Sequence, residues 1–172
     1  MDYLAFSEYV AETLDIGPGT RVFEVDCGDG AFLFPFYSNG YVVGGIDAEP
    51  AAIERALEEM PEGLFTVGTA SALDPAMPWD VVICRSFAGR STFAEATALR
   101  QAQGRPEQSR RTADEPDATY LRGVVARMFA KATHGIALLN VPEPAHKALL
   151  HALAEVGARA IQIEGLNLFA RV

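Results

Sequence analysis

"FEVDCGDGAFLF", residues 23–34, decides how this chain is read. A short apolar run ends in an acidic residue, passes through a loop carrying Gly28 and Gly30, and re-enters apolar sequence. That order is a buried strand, a glycine turn and a helix. In doubly wound sheets such a loop lies at the carboxyl edge of the strands, where ligands bind. Gly28 and Gly30 remove side chains so that a ligand can approach the backbone. The helix after the loop would offer free N–H groups and the positive end of its dipole.

The pattern continues outward in both directions. Phe6, Tyr9, Val10 and Leu14 recur at helical spacing, so residues 2–14 read as an amphipathic helix. "IGPGT" (16–20) breaks it before the strand "RVFEV". The helix after the loop should end near Asn39-Gly40, with Pro35 tolerated early in it. "YVVGGID" (41–47) reads as a second strand, with Pro50 in the first turn of the helix that follows. There Ile53, Ala56, Leu57 and Met60 form an apolar stripe. "LFTVG" (64–68), "WDVVICRS" (79–86) and "HGIALLNV" (134–141) read as further strands. A helix carrying Leu121, Val124, Val125, Met128 and Phe129 follows Asp117, its expected N-cap. Another covers 144–156 and stops at Gly157. "ARAIQIEGLNLFARV" reads as two strands turning at Gly165. Strands in direct succession pair antiparallel. The expected fold is therefore an α/β, Rossmann-like three-layer sandwich, with a mostly parallel seven-stranded sheet and an antiparallel C-terminal strand.

The 172 residues suit one domain over 1–172. One segment departs from the pattern. Residues 96–116, with Arg100, Arg105, Arg110 and Arg111, are polar and lack apolar periodicity. They read as a low-complexity insertion that adds little core. A formal charge of −9 and a pI near 4.8 argue against a duplex-binding surface. The two cysteines form no disulfide scaffold, and no Cys/His cluster has metal-ligand spacing, so no metal is expected. The first residues lack a basic region followed by an apolar run, and no apolar stretch spans a bilayer. The expectation is a cytoplasmic protein acting on small molecules, with neither nucleic acid nor membrane as partner.

Two cofactor types use this loop geometry. A nicotinamide dinucleotide wants G-x-G-x-x-G, and the third glycine position falls on Leu33, too bulky for close helix–strand packing. The sequence instead resembles the class I S-adenosylmethionine-dependent methyltransferases. "VFEVDCGDGAFL" is similar to their first motif, with Glu24 as its acid, Gly28 and Gly30 as its second and third glycines, and Asp26 in place of the first. "VVGGIDAEPAAIERA" resembles the second motif and "FTVGTASALDPAMPWDVVICRS" the third and fourth regions. The final hairpin "IQIEGLNLFARV" resembles the reversed last strand of that family.

The resemblance implies S-adenosylmethionine as cofactor and a small-molecule O- or N-nucleophile as acceptor. It places Glu24 at the methionine ammonium and Gly28 and Gly30 along the methionine and adenosine parts. Asp47 would hold the ribose, with Ala48 against the adenine and Thr69 and Ala70 at its edge. Arg85 would flank the methionine end by its backbone. No residue stands out as a catalytic base. Asp26 sets a second carboxylate near the ligand's own. At 4 Å and an effective dielectric of 20 such a pair repels by at most roughly 4 kcal/mol. The alternatives are a non-catalytic binding or scaffold protein on the same fold and a nicotinamide oxidoreductase, which would have an all-parallel sheet.

Overall fold

In the computed structural model, seven strands form one sheet in the order β3-β2-β1-β4-β5-β7-β6. The structure describes residues 2–74, 77–85, 118–141 and 143–172. The insertion at 96–116 and the expected cap Asp117 lie outside the described residues. The strands are β1 (Arg21–Val25), β2 (Val42–Asp47), β3 (Leu64–Val67), β4 (Trp79–Cys84), β5 (Ala132–Leu138), β6 (Arg159–Glu164) and β7 (Asn167–Arg171). The first five pair in parallel. β7 runs antiparallel to both β5 and β6. The reversed strand expected at the end of the chain is therefore present, and the all-parallel sheet of the oxidoreductase alternative is absent.

Side-chain alternation sends each strand's apolar residues to two faces. Val22, Val43, Val81, Ile83 and Phe169 join one core with helices α1 (Tyr3–Leu14), α2 (Phe34–Ser38) and α3 (Pro50–Glu59). Phe23, Val25, Trp79, Val82, Ile136 and Leu138 join the other, beneath helices α4 (Ala118–Lys131) and α5 (Glu143–Glu155). β1 and β4 are buried on both faces, as central parallel strands must be. The edge strands β3 and β6 are largely exposed.

Local chemistry sets the boundaries. Asp2 caps α1 by accepting from Leu4 N (3.0 Å) and Ala5 N (3.3 Å). Asp15 ends the same helix in the left-handed conformation. The glycine pair in β2 answers two packing demands from opposite faces. A Cβ on Gly44 would stand 2.5 Å from the Trp79 ring and 2.6 Å from the Leu64 carbonyl oxygen. One on Gly45 would stand 2.6 Å from Cys27 Sγ. So Gly45 is what allows the loop after β1 to lie flat on β2.

The helix after that loop ends where expected, before Asn39-Gly40. It spans only Phe34–Ser38, with Pro35 in its first turn. Proline has no N–H to donate, so it is tolerated in a first turn, where that donor would be unpaired. Leu33 N and Phe34 N donate to Gly30 O in the turns that lead into the helix. A helix this short lends the loop little dipole.

Candidate functional site

Strand order reverses between β1 and β4, since β2 lies on one side of β1 and β4 on the other. This switch point is where open α/β sheets bind ligands. The loop 26–30, the end of β2 and the end of β4 meet there.

Asp26 is in the left-handed region at φ 56°. The loop thus keeps the backbone turn a glycine would supply, through one of the few other residues that tolerate it. Gly28 also has positive φ, and a Cβ placed on it would meet nothing within 4 Å. Its N–H donates to Asp47 Oδ2 at 2.8 Å. The other carboxylate oxygen of Asp47 accepts from Glu49 N at 2.9 Å. Asp47 therefore ties the loop to the end of β2 and turns the chain into α3, and each of its oxygens keeps further acceptor capacity. Gly30 differs from Gly28. Its missing side chain faces Met60 Cε at 2.4 Å and Ala56 Cβ at 3.3 Å. Gly30 serves the packing of α3 and is buried.

Glu24 is fully buried in β1. Such a carboxylate requires a cationic partner. Arg21 is on the same strand, but at its other end, where it binds Asp80. The partner is Arg85, whose Nε donates to Glu24 Oε1. The guanidinium carbon lies 4.7 Å from the Phe32 ring centre and 5.3 Å from that of Tyr3, so two aromatic rings pack against the charge. Burial pushes the Glu24 carboxyl up to about 7; Arg85 opposes this, and the charges of Asp26 and Asp47 add to it. The second oxygen, Oε2, is buried with no hydrogen-bond partner among the described residues.

The remaining expected residues fall nearby. Ala48 is exposed beyond Asp47. The Thr69 hydroxyl shares a 2.7 Å hydrogen bond with Ser71, at the start of the short turn Ala70–Ala72. Ala70 is buried in the core. Arg85 approaches the site by its side chain, where only its backbone was expected, and its carbonyl accepts from Asn140 Nδ2 at 3.4 Å.

Sequence reading missed the Arg85 side chain, Tyr3 and Phe32 as a unit. The available signal was positional: Glu24 pairs with Ile83 across β1 and β4, two residues before Arg85. Cys27 is buried, and desolvation raises its thiol pKa strongly, so it is a filler and not a nucleophile. His134 and His146 are held by the carbonyls of Leu14 (2.9 Å) and Val141 (3.0 Å). A cleft of about 370 Å³ between Gly30, Phe34 and Met60 is rimmed by exposed Asp29, Arg55, Glu58 and Glu59. It is a solvated surface groove away from Glu24.

No family model matches this chain. It is 37% identical over 101 residues to nocamycin O-methyltransferase of Saccharothrix syringae, covering 54% of this chain and 36% of that protein. It is 34% identical over 68 residues to an uncharacterized methyltransferase of Synechocystis, covering 40% of this chain and 32% of that one. The match thus spans about a third of each curated relative. Among solved structures, a sugar N-methyltransferase from Streptoalloteichus aligns with TM-score 0.72 at 14% identity, over 99% of this chain and 87% of that one. An amino pentose methyltransferase from Micromonospora echinaspora, solved with S-adenosylmethionine bound, aligns with TM-score 0.71 at 15% identity, over 99% and 92%. This chain therefore shares the fold of class I S-adenosylmethionine-dependent methyltransferases, and both of its sequence matches are to methyltransferases.

Proposed function

We propose that this chain binds S-adenosylmethionine at the carboxyl edge of β1, β2 and β4 and transfers its methyl group to a small-molecule O- or N-nucleophile. One observation carries the reading. Glu24 has a buried oxygen without a hydrogen-bond partner among the described residues, at the switch point of the sheet, beside a loop whose Gly28 leaves open space. A buried acceptor left unmade costs about 1–3 kcal/mol. A ligand ammonium would satisfy it.

The other residues fit the same ligand. Asp47 is fixed by two backbone N–H groups and keeps lone pairs for vicinal hydroxyls. Thr69 and the backbone of Ala70 lie beyond β3, at the adenine end. Gly28 lets the ligand lie against the loop. When bound, the cofactor supplies a methyl group on an electrophilic sulfonium. The protein's work is then alignment of the acceptor and exclusion of water. The named functions of the similar proteins, an O-methyltransferase and a sugar N-methyltransferase, support a small acceptor. The net charge of −9 speaks against a nucleic-acid acceptor. Among the described residues, no helix is long and apolar enough to cross a membrane.

The test is calorimetric titration with S-adenosylhomocysteine. The expected result is saturable binding by the native chain, weakened by Asp47→Ala. No heat at millimolar ligand, with binding restored by Asp26→Gly, would show a site that Asp26 has closed and would overturn the enzyme reading.

A further inference from the structure

Glu24 has two oxygens in two different states. Oε1 is held by Arg85 Nε, and Oε2 is buried without a hydrogen-bond partner among the described residues. Arg85 is itself held: its guanidinium packs against the Tyr3 and Phe32 rings, from α1 and from the turn after the glycine loop, which meet edge to face. Its side chain is only 18% exposed. The pair therefore divides the carboxylate between one fixed internal cation and one open acceptor.

We infer that Arg85 is a positioning residue for the amino-acid end of the ligand: it holds Glu24 by Oε1 and so presents Oε2 to the ligand's ammonium. This rests on the proposed cofactor reading and deepens it. Arg85 and the ammonium share the carboxylate and do not compete for it.

The electrostatics require such a residue. The groups around Glu24 are Arg85 at the end of β4, Asp26 and Cys27 in the loop, Asp47 at the end of β2 and, through Arg85, Tyr3 of α1. Among the described residues, Arg85 is the only cation in this set. Burial and both aspartates favour the neutral carboxyl, and Arg85 alone favours the charged one. A protonated Glu24 is a poor partner for an ammonium. Ligand binding should therefore release a proton near neutral pH, and affinity should rise with pH until Glu24 is ionised in the free protein. Without Arg85 that rise moves to higher pH.

The experiment compares native protein, Arg85→Met and Arg85→Lys, by calorimetry from pH 6 to 9 with two probes. S-adenosylhomocysteine carries the amino-acid end; 5′-methylthioadenosine lacks it. Arg85→Met keeps the stem against the rings but removes the charge. It should bind S-adenosylhomocysteine about fivefold more weakly at pH 7, for a midpoint displaced from about 7 by about one pH unit, and recover toward pH 9. Its affinity for 5′-methylthioadenosine should stay within about twofold of native. Arg85→Lys should restore most of the loss, and it carries the test if the Met variant does not fold. Tighter S-adenosylhomocysteine binding by Arg85→Met would show competition and overturn the inference. An equal loss for both probes, or Arg85→Lys no better than Arg85→Met, would reduce Arg85 to a structural residue and also overturn it. Native protein that binds neither probe would instead overturn the cofactor reading.

Discussion

Gly28 and Gly30 look equivalent in the loop, yet alanine should affect them in opposite ways. At Gly30, φ is +76°, so a side chain costs about 1–2 kcal/mol in backbone strain. Its Cβ would also stand 2.4 Å from Met60 Cε and 3.3 Å from Ala56 Cβ, and both residues are fully buried. Overpacking of this kind costs about 1–3 kcal/mol. The stiffer unfolded chain returns about 0.4–1 kcal/mol. The net loss for Gly30→Ala is about 2–4 kcal/mol, or a fall in Tm of about 5–15 °C for a domain of this size. Gly28 has φ +57° and open space around its Cβ position. Gly28→Ala bears only the backbone cost, about 1 kcal/mol, and a fall of about 2–4 °C. Calorimetric melting reads both. Titration with S-adenosylhomocysteine should then invert the order: Gly28→Ala weakens binding, because its methyl fills the space left for the ligand. Folded Gly30→Ala binds near native. Equal falls in Tm, or a larger one for Gly28→Ala, would refute this division of labour.

Other expectations concern the frame around the site. The side chain of Arg21 binds Asp80, with its backbone N–H and Thr133 adding further donors, and this holds the Asp80 carboxyl down at about 2. Because the folded value lies below the unfolded one, this stability is present above about pH 4 and lost as pH falls toward 2. Asp80→Asn should flatten that acid limb in a Tm-against-pH series and cost only about 1 kcal/mol at pH 7, since the Arg21 and Asp80 side chains are 44% and 28% exposed and water screens the pair. Lys131 is buried and donates to the carbonyls of Asp74 (2.9 Å) and Met77 (3.1 Å), over the Phe23 ring. Lys131→Met should lower the urea midpoint by an amount worth about 1–2 kcal/mol, because it removes two hydrogen bonds to carbonyls of the exposed residues Asp74 and Met77, which water can then reach. Ala160 holds φ +48° at the irregular stretch of β6, so Ala160→Gly should raise Tm by a degree or two, about 0.5–1 kcal/mol.

Much of the fold was legible because its signals are local. Buried parallel strands read as short apolar runs, and a strand following another strand must reverse, so the sheet and its antiparallel β7 follow from "RVFEV", "WDVVIC" and the final hairpin. The loop was legible for the same reason: Gly28 and Gly30 beside an acidic strand end, then Asp47 closing β2. Helix α2 was legible at its end, because Pro35 fits only a first turn and Asn39-Gly40 stops the chain, so the helix runs Phe34–Ser38.

The sequence by itself thus determined the layers, the reversed strand and the place of the glycine loop. Tertiary structure alone decided what surrounds Glu24. Arg21 is three residues away and points its charge to Asp80, while Arg85, sixty-one residues away, reaches the buried carboxylate. It also decided which glycine faces α3 and which faces open space. The reason is physical. A strand carries its neighbours in sequence along its length, about 3.3 Å per residue, so Arg21 and Glu24 end up near opposite ends of β1. Sideways neighbours come from strand order, and only the packed sheet sets β4 beside β1.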